Sequence, residues 1–279
     1  MKKTIFAAVM GALLGGLAMG VHAAILSDSF TDGSLSNGTD AADADWYGLW
    51  VPNSGGTLPT VTDYSGDNKL SPDTGTAGNT RMLANFSKTT LSSAGDFIEL
   101  TLNFSYSSAA NNANAAVNWG LLSDGGTPQN DNYLETGDTN YTGNDNGYTV
   151  QWHFDSKGTN DLDYYNSGNV MNIPGTGSYG TRTSGVTIAT STEYDLGLRI
   201  TREAGNTFEL KSWIDSATNT MTGVTINNSG EFSEVVFYGE GGLAYRMDDV
   251  NVIPEPSSIA LLLLGAGAFA VRRSVMRRA

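Results

Sequence analysis

Two acidic pairs are spaced for chemistry on a strand. Glu193 with Asp195 and Asp161 with Asp163 stand two residues apart, which sets each pair on one sheet face. Retaining hydrolysis of a glycosidic bond needs two carboxyl groups about 5–5.5 Å apart, one nucleophile and one acid. Neither pair has the third acid along its strand, so both read as exposed strand-face charges. Gln151 and His153 share a face opposite Trp152, where an imidazole could act as a base. The only other histidine is His22 and there is no cysteine, which excludes multi-histidine metal sites, disulfides and thiol catalysis. Oxygen ligands for a hard cation are plentiful. However, the run Asp138–Gly143, which opens like an EF-hand loop, has Thr149 where that loop needs a bidentate Glu. Trp213 is out of phase with Phe208, Leu210 and Ile214, so it points outward beside Glu209 and Lys211. With Tyr164 and Tyr165 it is the candidate platform for stacking a sugar ring. No residue is assigned a catalytic role.

The elements that must position these residues are strands. Apolar and polar residues alternate through Ile98–Tyr106, Val117–Leu121, Tyr148–Phe154, Tyr194–Ile200 and Phe208–Ile214, and shorter apolar runs lie at Val235–Tyr238 and Leu243–Val252. Turn chemistry such as Asn146-Gly147 and Ala204-Gly205-Asn206 separates them, the latter joining Tyr194–Arg202 to Thr207–Ile214 as a hairpin. No helical apolar stripe occurs between Ala24 and Val252, and the Asn/Gly/Ser-rich stretches 107–114 and 168–185 read as long loops. The expectation is an all-β chain: an antiparallel sandwich of two sheets packed face to face.

Asp28–Gly33 and Tyr245–Val252 resemble the first and last strands of concanavalin-like and laminin-G-like jelly rolls. That resemblance implies a jelly roll, and a structural Ca²⁺ held by Asp28 and Asp249 where the two strands meet. The alternative is that Asp248-Asp249 forms a strand bulge. Gln151-Trp152-His153 is similar to the Gln-x-His element of jelly-roll alginate lyases, but the arginine-rich and Tyr/Lys-rich partners of that family are missing. So is the Glu-x-Asp-x-x-Glu string of jelly-roll glycanases.

Both ends stand apart from the fold. Lys2 and Lys3, the apolar run Ile5–Met19 and Val21-His22-Ala23 make a signal helix, residues 1–23, with cleavage after Ala23. At the other end Ile253-Pro254-Glu255-Pro256 precedes an uncharged stretch, Ser257–Val271, and then Arg272, Arg273, Arg277 and Arg278. As a helix that stretch covers only about 22 Å of a hydrocarbon core about 30 Å thick, which suits a temporary transmembrane anchor. The arginines stop it on the cytoplasmic side and leave residues 24–252 outside. Residues 253–279 resemble the PEP-CTERM sorting signal of Gram-negative bacteria. The resemblance implies export through the Sec translocon and processing near Pro-Glu-Pro by exosortase, a membrane cysteine protease. Release to the cell surface or extracellular matrix then follows.

Removing both ends leaves 9 of the 15 basic residues against 28 of the 29 acidic ones, a net charge of −19 for residues 24–252. Such a domain repels nucleic acid and anionic polymers. The expected function is a non-catalytic exported surface or matrix protein that binds a neutral extracellular polysaccharide. The alternatives are a polysaccharide-active lyase or glycanase on the same fold, and an ice-binding or structural protein.

Overall fold

The computed structural model describes residues 24–35, 44–49, 59–63, 66–72, 80–108, 116–128, 145–153, 162–167, 178–183, 189, 191–225, 230–239 and 244–254. The expected signal helix, the expected transmembrane helix and the loop 138–143 lie outside the described residues. Among the described residues there is no helix, and so none long and apolar enough to cross a membrane.

Among the described residues fifteen strands form two antiparallel sheets within the compact unit Ala24–Pro254. In chain order they are β1 (Leu26–Asp28), β2 (Trp46–Leu49), β3 (Pro59–Asp63), β4 (Asn68–Pro72), β5 (Thr80–Thr90), β6 (Phe97–Ser108), β7 (Ala116–Ser123) and β8 (Asn146–His153). There follow β9 (Leu162–Ser167), β10 (Ser178–Thr183), β11 (Glu193–Arg202), β12 (Thr207–Ile214), β13 (Ala217–Thr225), β14 (Glu231–Gly239) and β15 (Ala244–Pro254). The eight-stranded sheet runs β13-β12-β11-β6-β15-β4-β3, with β1 also paired to β15. The seven-stranded sheet runs β10-β9-β8-β7-β14-β5-β2.

Alternation decides which face each strand buries. On β12, Phe208, Leu210 and Ile214 are buried and Lys211 is exposed; on β11, Leu196, Leu198 and Ile200 line up beside Leu102, Leu100 and Ile98 of β6. Each such side chain, fully buried, contributes about 1.5–3 kcal/mol. The two inner faces meet through aromatic contacts: Phe104 lies 6.1 Å from Phe237 and Trp152 6.4 Å from Tyr194, centroid to centroid. Tyr148 on β8 donates from its hydroxyl to the Thr225 carbonyl of β13 at 2.8 Å, so a polar bond also links the layers.

The hairpin read from Ala204-Gly205-Asn206 is present, with Gly205 at φ 77° and the Glu203 amide donating to the Thr207 carbonyl at 2.8 Å. A tighter one joins β12 to β13 through Asp215 and Ser216. Asp215 adopts φ 50°, a conformation its short polar side chain tolerates, and its Oδ1 accepts the Asp195 amide at 2.8 Å. One sequence expectation needs correction. Ser178–Thr183 lies in the stretch expected to be loop yet forms β10, because pairing with β9 organises a segment with little apolar pattern. β5 is an inner strand whose residues 81–84 are buried on both faces.

Candidate functional site

The seven-stranded sheet has a second face, turned away from the shared core. Because Val117, Trp119 and Leu121 point inward, Asn118, Gly120 and Leu122 of β7 point the other way. The same alternation places Thr149 and Gln151 of β8, Glu234, Val236 and Tyr238 of β14, and Arg81, Leu83 and Asn85 of β5 on that face. Leu83, Leu122, Val236 and Tyr238 are buried yet do not belong to the cluster that forms the core. Register then aligns the polar groups in a row across the strands: Arg81 opposite Tyr238, Tyr238 opposite Asn118, and Asn118 opposite Gln151. The Arg81 guanidinium sits 4.7 Å from the centre of the Tyr238 ring, a cation–π contact that orients both.

Asn118, Thr149 and Glu234 bring to this face hydrogen-bonding groups that have no partner. Asn118 and Thr149 are 0 % exposed, and neither atom of the Asn118 amide nor the Thr149 Oγ1 finds a partner. Glu234, also 0 % exposed, has both carboxyl oxygens unpaired. Burial pushes its carboxyl up from 4.5 to about 9, and the nearby Asp145 and Asp124 add to the shift. Glu234 is therefore a neutral acid at pH 7, with one hydrogen to donate and one carbonyl oxygen to accept. Leaving such groups unpaired costs about 1–3 kcal/mol each. Gly120 and Gly147 keep β7 and β8 close: a Cβ at either would stand 2.4 or 2.2 Å from a backbone oxygen of the other strand.

The residues singled out from sequence fall elsewhere. Trp213, on β12 of the eight-stranded sheet, is opposite Gly197 of β11, and its indole lies where a Cβ on that glycine would be, 2.0 Å from Cζ2. It does not share a face with Gln151. Tyr164 and Tyr165 stand opposite Val150 and Thr149 in register, and His153 opposite Ala116. Asp28 is buried where β1 ends; its Oδ1 accepts the Phe30 amide at 2.8 Å and its Oδ2 the Trp46 indole N–H at 2.7 Å. Asp249 is exposed at φ 47° inside a bulge of β15, where its Oδ2 accepts the Asn103 amide at 2.9 Å. Among the described residues no group of three or more His, Asp or Glu is placed to hold a metal. Glu193 instead accepts from Lys69 Nζ at 2.7 Å, while Asp67 and Asp248 lie 3.2 and 3.4 Å from the same ammonium.

Ala23, Glu255, Pro256 and the four arginines lie outside the described residues. Pro254 does not: it ends β15, opposite Ile98 of β6. A profile of the PEP-CTERM protein-sorting motif matches residues 252–278. The chain carries a PEP-CTERM sorting motif. It begins inside the last strand of the sandwich, since Val252 is opposite Leu100 of β6.

No curated protein matches the chain. Among solved structures, the globular domain of T. cruzi calreticulin is similar at TM-score 0.50 with 11 % identity, over 91 % of this chain and 99 % of that one. The potassium-bound carbohydrate recognition domain of Emp46p is similar at TM-score 0.50 with 13 % identity, over 75 % of this chain and 88 % of its own. The alginate lyase Aly36B with a bound alginate trisaccharide gives TM-score 0.48 with 15 % identity, over 82 % and 97 %. The two-sheet antiparallel sandwich is thus a fold this chain shares with the first two of these structures.

Asn118 and Glu234 leave a signal in the sequence. Each is a polar residue inside an otherwise apolar run, Val117-Asn118-Trp119 and Phe232-Ser233-Glu234-Val235-Val236.

Proposed function

We propose that this is an exported surface or matrix protein that binds a neutral polysaccharide across the second face of its seven-stranded sheet. The observation that carries the reading is the buried, unpartnered amide of Asn118 in a row with Arg81, Tyr238 and Gln151. An amide that donates and accepts matches a pair of neighbouring sugar hydroxyls, and the neutral Glu234 and the Thr149 hydroxyl add further partners. A neutral glycan also suits a domain of net charge −19 between its two ends.

Glycan-array binding, followed by calorimetry on the best ligand, tests this. Asn118→Leu, which removes the amide at nearly constant volume, should weaken binding at least about tenfold while leaving the protein folded. Trp213→Ala, on the other sheet, should leave binding unchanged. Loss of binding in Trp213→Ala alone would move the site to the eight-stranded sheet. No glycan binding by the wild type would end the lectin reading, and unsaturated or reducing ends released from a polysaccharide would make the protein an enzyme.

A further inference from the structure

The sorting motif has no linker between itself and the fold. Val252, Ile253 and Pro254 are opposite Leu100, Glu99 and Ile98 of β6, and β15 is an inner strand with β4 and β1 on its other side. At Val252 the strand is held on both sides, because Leu26 is opposite it and the Ile25 amide donates to its carbonyl at 2.9 Å. Val252 is 0 % exposed. Beyond it no β1 residue remains in register, and Pro254 has no N–H to give to the ladder. Ile253 and Pro254 are half-buried and, among the described residues, paired from one side only. An abrupt change in attachment falls between Val252 and Ile253.

A protease takes its substrate as an extended peptide, with several residues on each side of the scissile bond in its cleft. Those residues cannot occupy a cleft and a sheet together. We propose that the membrane protease reading this motif cuts C-terminal to Pro254, and that it engages only after Ile253 and Pro254 fray from β6. The bond broken is a peptide C–N bond. Water supplies hydroxyl to the acyl carbon and a proton to the departing amine of the anchor. Val252 stays with the sandwich, since freeing it would break pairing to both β6 and β1. The strand end thus gates processing: a folded domain presents a short frayed tail, and its rate of fraying limits release. This rests on the sorting reading and is independent of glycan binding.

The chain has no cysteine, so an introduced pair forms one defined disulfide. Ile253 and Glu99 are cross-strand partners. Pulse-chase conversion of the full chain is followed in Gram-negative cells that make the protease, for wild type and for the Glu99→Cys/Ile253→Cys variant. The oxidised variant should convert at least about tenfold more slowly than the same variant reduced, a comparison that cancels the loss of the Glu99–Arg199 ion pair. Inserting Gly-Ser-Gly-Ser between Val252 and Ile253 should speed conversion several-fold. Mass spectrometry of the mature chain should find a C-terminus at Pro254 or beyond. Equal rates for oxidised and reduced forms, an unchanged rate with the insertion, or a C-terminus before Pro254 would overturn the proposal. No conversion of the wild type would instead remove the sorting reading on which it rests.

Discussion

Glu234→Gln should make the protein more stable at neutral pH, by an amount that depends on pH in a set direction. The wild-type carboxyl is raised from 4.5 to about 9 by burial, with Asp145 and Asp124 adding to it, so the native state holds this proton far more tightly than the unfolded chain. The stability it confers is complete below pH 4.5 and is lost as pH rises toward 9. Inside that window one proton leaves on unfolding, and stability falls by about 1.4 kcal/mol per pH unit. Between the unfolded value and pH 7 the loss is about 3 kcal/mol, a large share of the roughly 5–15 kcal/mol a domain has in total. Gln cannot ionise and keeps nearly the same shape, so the difference between variant and wild type isolates this one group. Urea unfolding followed by tryptophan fluorescence, at unit steps between about pH 5 and about pH 9, gives that difference directly. It should widen steadily in favour of Gln. A difference constant to within about 0.5 kcal/mol across the range would refute the assignment of Glu234 as a buried neutral acid.

Gly197→Ala should cost about 1–3 kcal/mol, because the new Cβ meets the Trp213 indole, and should become neutral in a Trp213→Ala background; a double-mutant cycle in urea measures the coupling. Asp28→Ala strands the Phe30 amide and the Trp46 indole N–H, and at about 1–3 kcal/mol each should destabilise by about 3 kcal/mol; Trp46→Phe in the same variant should recover part of it. EDTA should leave the melting temperature unchanged, because both Asp28 oxygens already accept protein donors. A fall of more than about 5 °C would mean that a cation helps hold the fold.

Strands with one dry and one wet face were legible in the sequence. β6, β11 and β12 alternate cleanly because their outer faces meet water, and the Ala204-Gly205-Asn206 turn fixed which two pair. β5 was harder, because its residues 81–84 are buried on both faces and the alternation blurs. Edge strand β13, with Thr218, Thr220 and Thr222 exposed, takes its form from β12 rather than from apolar residues of its own. The outward aim of Trp213 could be read from its phase, but the glycine opposite it depends on register, which no local pattern encodes. The same limit hid the polar row. That Asn118 faces away from the core follows from its neighbours. That it aligns with Gln151 and Tyr238 follows only from how three strands distant in sequence are threaded side by side.

The meeting of β1 and β15 also bears on the order of folding. Ser27 donates to Asn251 at 2.7 Å across 224 residues of chain. β15 supplies the partner for β1, for one side of β6 and for the free side of β4. A chain that crosses a membrane from its N-terminus delivers this strand last, so until then β1 has no partner and two sheet edges stand open. Contacts so distant in sequence form slowly, and open edges invite pairing with other chains. The eight-stranded sheet can close only when the segment joined to the sorting motif arrives, which makes completion of translocation and completion of the fold nearly the same event.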